Sequence, residues 1–145
     1  MRHWLLSGAV LTGLLLCGCG GGGKTDAVFH GRLESGDSTL ADKVFVDTYS
    51  GVAASSGKGH VKLDSPDFDP QVNVGVINGN QSINVTAQAQ ASKGAAANLD
   101  FNVTQGTTYY IYVRAANLPG SGSYTLRVSD VLKNVQQQSS LTPAP

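Results

Sequence analysis

Two glycine-led stretches near the end of the chain decide the fold: residues 106–113, GTTYYIYV, and residues 122–128, GSYTLRV. In both, one aromatic and two aliphatic residues occupy alternate positions, which is the pattern of a strand with one buried face. The residues predicted to face the core are Tyr109, Ile111, Val113, Tyr124, Leu126 and Val128. Both stretches therefore predict strands of an all-β core.

The same alternation recurs upstream, from Ala27 onward, between turns rich in glycine, asparagine and proline. No stretch of helical length carries a convincing apolar stripe at the spacing of a helix. Residues 86–98 are rich in Ala and Gln, and they predict a strand end and a mobile loop, with a short helix as the alternative. About eight strands over about a hundred residues predict a single all-β sandwich.

Composition narrows the possible partners. The 145 residues include 10 Lys+Arg and 10 Asp+Glu, so the formal net charge is 0. This balance excludes a protein that binds polyanions through a basic field, and nucleic acid is not a predicted partner. Charged residues make up 14 % of the chain, below the ~25 % of an average globular domain. The length predicts one domain.

The N-terminus predicts an export signal. Residues 4–17 are uncharged, and their apolar centre is too short to span ~30 Å of hydrocarbon as a permanent helix. The end of this stretch, LCGC at residues 16–19, resembles the lipobox of bacterial lipoproteins. The resemblance implies cleavage before a lipid-modified Cys19. Cys17 is an alternative modified residue, but it is disfavoured because bulky Leu16 would then precede the cleaved bond. A signal peptide without lipid modification is the other alternative.

These features divide the chain into four segments. They are a signal peptide (1–18), a lipidated Cys19 with a glycine-rich tether (19–26), a β-sandwich (27–131) and a disordered tail (132–145). Removal of the signal peptide leaves Cys19 as the single cysteine, so no intramolecular disulfide is expected. The lipoprotein resemblance implies the membrane as a partner and the cell envelope as the location. Gly20 after the modified cysteine implies the outer membrane in a Gram-negative cell.

A second resemblance covers most of the body. It is carried by residues 31–38, 42–46, 64–70 (DSPDFDP), 101–114 and 120–128. In this order and spacing they resemble the bacterial pre-peptidase C-terminal domain over residues 28–129. The resemblance implies a β-sandwich of jelly-roll type that accompanies secreted peptidases as an accessory module, not as a catalyst. Related collagen-binding modules of bacterial collagenases bind fibrils and can bind calcium.

Candidate catalytic residues are few. After removal of the signal peptide, His30 and His60 are the only imidazole bases, and each is isolated in sequence. The chain has neither a Gly-x-Ser-x-Gly elbow nor a His-Glu-x-x-His pair. We therefore predict that the protein is not an enzyme.

Three carboxylates, Asp64, Asp67 and Asp69, fall within six residues and are the candidate metal ligands. Their spacing does not match an EF-hand loop, and no acid occurs in residues 87–98 to complete a site. The favoured interpretation is that these aspartates cap the N–H groups of turns. No cofactor is predicted, and Ca²⁺ is the alternative.

The candidate ligand-binding residues are Tyr110, Tyr112 and Arg114, which alternate with the core residues of their strand. Two tyrosines and a guanidinium on an outward face can stack on sugar rings or pack on a polypeptide. The alternative is that neighbouring side chains cover them.

Together these observations predict a membrane-anchored, non-catalytic binding or adhesion module of the cell envelope, with a polysaccharide or protein ligand. A first alternative is a structural or assembly subunit of an envelope protein complex, which would use an exposed β-edge or the tail as its contact. A second alternative is a calcium-stabilised accessory domain of a secreted peptidase system.

Overall fold

The molecule is a sandwich of two antiparallel sheets. A computed structural model describes residues 25–40, 44–79, 83–118 and 120–139. The predicted signal peptide and Cys19 lie outside the described residues. Within these ranges every element of regular secondary structure is a β-strand. No helix there is long and apolar enough to cross a membrane. The all-β sandwich prediction is confirmed.

One sheet has four strands, all paired antiparallel. Their order across the sheet is β1 (Ala27–Leu33), β9 (Gly122–Val128), β4 (Gly57–Asp64) and β7 (Ala96–Val103). We call this the four-stranded sheet.

The other sheet has six strands and is called the six-stranded sheet. Its order is β10 (Leu132–Gln138), β3 (Phe45–Ala53), β8 (Thr108–Ala115), β5 (Pro70–Ile77) and β6 (Ile83–Gln90), with the short β2 (Ser38–Thr39) beside β3. The described residues thus form ten strands, not about eight.

The prediction of a strand end followed by a mobile loop over residues 86–98 is right about the strand end and wrong about most of the loop. Strand β6 continues to Gln90, and β7 already begins at Ala96. In β6, Ala87 and Ala89 pack against the core while the glutamines between them are exposed. Alternation is therefore present, but alanine is too small to mark a buried face clearly in the sequence.

The predicted disordered tail is wrong for its first half, and the sandwich does not end at residue 131. Residues 132–138 form β10, which pairs with β3. Leu132 is 3 % exposed and belongs to the core. The register shifts between Lys133 and Gln136, and Asn134 has a φ of 54°. This bulge breaks the period of two and hides the strand from a pattern search.

The core lies between the two sheets. All six residues predicted to face it are buried: Tyr109, Ile111, Val113, Tyr124, Leu126 and Val128. Burial of one large aliphatic side chain contributes about 1.5–3 kcal/mol to folding. Aromatic contacts join the sheets, because the ring centroids of Phe29 and Tyr49 are 5.0 Å apart and those of Phe101 and Tyr109 are 5.9 Å apart.

A buried polar bridge also joins the sheets. The hydroxyl of Tyr124 on β9 donates to Oδ2 of Asp47 on β3, and it lies 2.7 Å from the hydroxyl of Tyr49. Gly31 faces Tyr124 across β1 and β9, and a Cβ there would lie 2.2 Å from the tyrosine ring. Glycine therefore leaves the space that the tyrosine occupies.

Burial raises the pKa of Asp47, which is only 7 % exposed, although the hydrogen bond from Tyr124 opposes this shift. The folded state consequently favours the protonated carboxyl. Its stabilising contribution is complete below the ordinary pKa of 3.8 and is lost as the pH rises through the folded-state value.

We predict that Asp47→Asn removes this part of the pH dependence. The free energy of unfolding of the variant, relative to the native chain, should increase as the pH rises from about 4 through the folded-state pKa of Asp47, because the amide does not ionise. Urea unfolding at a series of pH values measures it. Asp64→Asn, at a half-exposed position, is the control. Parallel pH profiles for Asp47→Asn and the native chain would contradict the prediction.

Candidate binding face

The outer face of the six-stranded sheet collects carboxamides from several strands. Residues directly opposite one another share a face, and the side chains next to them along each strand point into the core. One row across the sheet consists of Gln138, Thr48, Tyr112, Asn73 and Gln88. We name as the amide face the residues Thr48, Ser50, Gln71, Asn73, Gln88, Gln90, Tyr110, Tyr112, Gln136 and Gln138.

The two outer faces of the sandwich differ in charge. The described residues of the amide face include no acid, and the nearest cations on the same side of the sheet are Arg114 and Lys133. The outer face of the four-stranded sheet instead carries Arg32, Lys58, His60, Lys62, Asp64, Asp100 and Arg127. The amide face is therefore a neutral surface of hydrogen-bonding groups, and the outer face of the four-stranded sheet on the other side of the sandwich is charged.

Strand β8 places the three predicted ligand-binding residues on one side, as the alternation predicted. Tyr110 and Arg114 are partly exposed, whereas Tyr112 is only 1 % exposed. The expectation that Tyr112 is exposed is wrong. It lies on the central strand, with Thr48 of β3 and Asn73 of β5 directly opposite it on either side.

The hydroxyl of Tyr112 is buried and finds no hydrogen-bond partner in the described part of the chain. Burial raises its pKa, and the neighbouring Tyr110 adds to the shift. Tyr112 therefore remains neutral and is shielded from solvent, whereas Tyr110 is partly exposed.

Hydrogen bonds orient some of the amides. Gln71 Nε2 donates to Asn73 Oδ1 at 3.3 Å, and Gln138 Nε2 donates to Ser50 Oγ at 2.9 Å. A carboxamide has two N–H donors and an oxygen with two lone pairs, so these bonds use only part of its capacity. The face can both donate to and accept from a ligand.

The three aspartates considered as calcium ligands act in different places. Asp67 Oδ2 accepts from the Ser123 backbone N–H at 2.7 Å. Asp69 accepts from the Lys93 backbone N–H at 2.7 Å through Oδ1, and from Asn117 Nδ2 at 2.9 Å through Oδ2. Asp64 lies 3.7 Å from the Lys62 ammonium.

No three or more of the acidic, histidine and cysteine residues described here come together as a metal site. The capping role expected for Asp67 and Asp69 agrees with their bonds to backbone N–H groups. Their carboxylates tie the loops at one end of the sandwich to its strands.

A serine, a histidine and an aspartate do meet on the charged face, which sequence spacing did not reveal. His60 Nδ1 lies 2.7 Å from Asp100 Oδ1, and the backbone N–H of His60 donates to Ser129 Oγ at 2.9 Å. A catalytic serine must instead bond to the imidazole. Within the described residues no hydrogen bond joins Ser129 to that ring, so the row is not a catalytic triad in this conformation.

Asp69 accepts hydrogen bonds from Lys93 and Asn117, and we predict that these bonds stabilise the fold. Asp69→Ala should lower the free energy of unfolding by about 1–2 kcal/mol, because it removes the acceptors of two loops. Asp64→Ala, which removes only a surface ion pair, should cost about 0.5 kcal/mol or less. Chemical denaturation of both variants measures the difference. Added Ca²⁺ or chelator should leave the melting temperature of the native chain unchanged, and a calcium-dependent rise would contradict a purely structural role.

Comparison with known proteins bears on the fold. No protein-family model matches the chain, and no curated protein matches it. Among solved structures it is similar to the mitogen of Yersinia pseudotuberculosis, with 12 % identity over 84 % of this chain and 98 % of the other and a TM-score of 0.55. It is also similar to the pre-peptidase C-terminal domain of a collagenase from Bacillus anthracis, with 24 % identity over 72 % of this chain and 89 % of the other and a TM-score of 0.54. A pre-peptidase C-terminal domain is therefore a structural neighbour of this sandwich.

Proposed function

We propose that the protein is a non-catalytic binding module of the cell envelope that uses the amide face to hold a neutral polysaccharide. The observation that carries this proposal is that the amide face is built from hydrogen-bonding side chains and includes no charged residue. The charged face on the opposite side would suit a solvated surface.

Sugar hydroxyls are uncharged groups that both donate and accept hydrogen bonds, and carboxamides have the same property. Tyr110, which is partly exposed, presents an amphipathic ring that can stack on the apolar face of a sugar. The amide face extends across several strands, and its exposed members surround the buried Thr48 and Tyr112. A contact spread over several strands suits an extended polymer better than a small molecule, since small ligands favour concave sites.

A protein ligand is the other occupant that the sequence predicted. Arg114 beside the face would support it, because tyrosine and arginine are enriched at protein contacts. The excess of carboxamides over aromatic and arginine side chains favours the sugar polymer.

Two observations support a role other than catalysis. The solved structures that resemble the chain include the pre-peptidase C-terminal domain of a collagenase. In addition, Ser129 bonds to the backbone of His60, and this serine is thereby engaged away from the imidazole. The module would hold a polymer in place, and another protein would act on it.

Attachment to a membrane through lipidated Cys19 is part of the proposal. It rests on the LCGC sequence at residues 16–19, which lies outside the described residues. The glycine-rich residues between Cys19 and β1, which starts at Ala27, would serve as the tether. Several acyl chains give stable attachment, so the module would stay at the envelope, in the outer membrane of a Gram-negative cell.

We predict that the chain from residue 20 onward co-sediments with insoluble neutral polysaccharide. Cellulose, chitin and insoluble α-glucan are the probes, with fibrous collagen as the protein arm. Tyr110→Ala and Asn73→Ala should each weaken binding about tenfold, because each removes a contact worth about 1.4 kcal/mol. Asn98→Ala makes the same chemical change as Asn73→Ala on the opposite face and should bind like the native chain.

Thermal melts of all three variants establish that they remain folded. Equal losses in Asn73→Ala and Asn98→Ala would rule out the amide face as the binding surface. Binding to collagen alone would indicate that the ligand is a protein and not a polysaccharide. Binding to none of the probes would overturn the proposal.

A separate prediction concerns the anchor. In the full-length chain, Cys19→Ser should move the protein from the detergent phase to the aqueous phase in a phase-partition assay, because the thiol that carries the lipid is lost. Cys17→Ser should leave partitioning unchanged. If Cys19→Ser still partitions into detergent, the anchor assignment is wrong.

A further inference from the structure

The edge strands of the two sheets are not equally protected. In the strand order of the described residues, the edges are β1 and β7 in one sheet and β10 and β6 in the other. Three of them carry charge: Arg32 on β1, Asp100 on β7 and Lys133 on β10. Strand β6, with the sequence INVTAQAQ, has no charged residue. Charged side chains and β-bulges on an edge discourage pairing with another strand. The register of β6 with β5 shifts between Val74 and Gly75, so the unprotected part of β6 is the regular, uncharged stretch from Ala87 to Gln90.

The backbone of β6 is also available for pairing. The N–H of Ala91 donates to the carbonyl of Pro70 at the end of the β5 and β6 ladder. Because direction alternates along an antiparallel strand, the backbone groups of Ala89 point the same way, toward β5. Those of Gln88 and Gln90 then point away from the sheet, where no described strand pairs with them.

We propose that β6 pairs antiparallel with β6 of a second copy of this chain, around a twofold axis at Gln88. This register follows from the backbone, since the outward-facing groups of Gln88 must meet each other. It places Gln88 opposite Gln88 and Ala87 opposite Ala89, within the regular stretch of β6 that adjoins the register shift.

The side chains favour an identical partner. A twofold axis makes each interface self-complementary, so a residue on the axis faces its own copy. A carboxamide both donates and accepts, so Gln88 can bond to Gln88 of the partner, whereas a lysine or aspartate there would face a like charge.

One consequence rests on the proposed function. An antiparallel pair with its twofold axis perpendicular to the sheet turns both amide faces to the same side. Two copies would present one continuous face, and a long polymer could contact both at once with a gain in avidity. The dimer itself does not depend on polysaccharide binding.

The first test needs no polysaccharide. Sedimentation of the chain from residue 20 onward should show a monomer–dimer equilibrium. Gln88→Lys and Gln88→Glu should each weaken dimerisation at least tenfold, and an equimolar mixture of the two should restore it, because unlike charges then meet at the axis. A native chain that is monomeric at all concentrations overturns the proposal, as does a dimer that both charge variants retain.

The second test uses the full-length chain in its membrane and does not require a charged variant to fold. Facing residues of a hydrogen-bonded antiparallel pair have Cα atoms about 5.5 Å apart, a distance that a disulfide can span. Gln88→Cys should therefore form a disulfide-linked dimer of the chain under mild oxidation, and Asn98→Cys should not. Three outcomes would overturn the proposal that a second copy pairs with β6. They are equal crosslinking of the two variants, no crosslinking of Gln88→Cys, and crosslinking of Gln88→Cys to a different protein.

Discussion

Strand β8 imposes the constraint on which the rest of the structure depends. It lies in the middle of the six-stranded sheet, hydrogen-bonded to β3 on one side and to β5 on the other. Its side chains can therefore point only into the sandwich or away from it. Tyr109, Ile111 and Val113 fill the core, so Tyr110 and Tyr112 must lie on the outer face. The composition of that face is a direct consequence of how the core is filled.

The two sheets are held together by more than apolar packing. Tyr124 reaches from the four-stranded sheet to Asp47 and Tyr49 of the other, and Gly31 leaves room for its ring. A buried polar group is costly unless its hydrogen bonds are satisfied. Satisfaction here requires β9 and β3 to face each other in one relative position. The bridge thus favours a single packing of the sheets, whereas aliphatic side chains alone would tolerate several.

The proposed binding face and the proposed dimer share one chemical basis. Carboxamides on β5, β6 and β10 are neutral, and each of them can donate and accept. On a sheet face this property suits sugar hydroxyls, and on an edge strand it suits an identical strand. The outer face of the four-stranded sheet carries more charged side chains than the amide face, beside which Arg114 and Lys133 lie.

The sequence by itself determined the fold class, the six core residues of β8 and β9, and the outward direction of Tyr110 and Arg114. Period-two alternation of large apolar residues is local information, and it predicts which side of a strand is buried. It missed how far β6 extends, because the buried side of its second half is alanine, and it missed β10 from Leu132 onward, whose period is broken by a bulge. Only the tertiary structure brought Gln71, Gln88 and Gln138 onto one face and buried Tyr112. Those outcomes depend on which strands become neighbours, and the pairing of strands far apart in the chain cannot be read from spacing within a single strand.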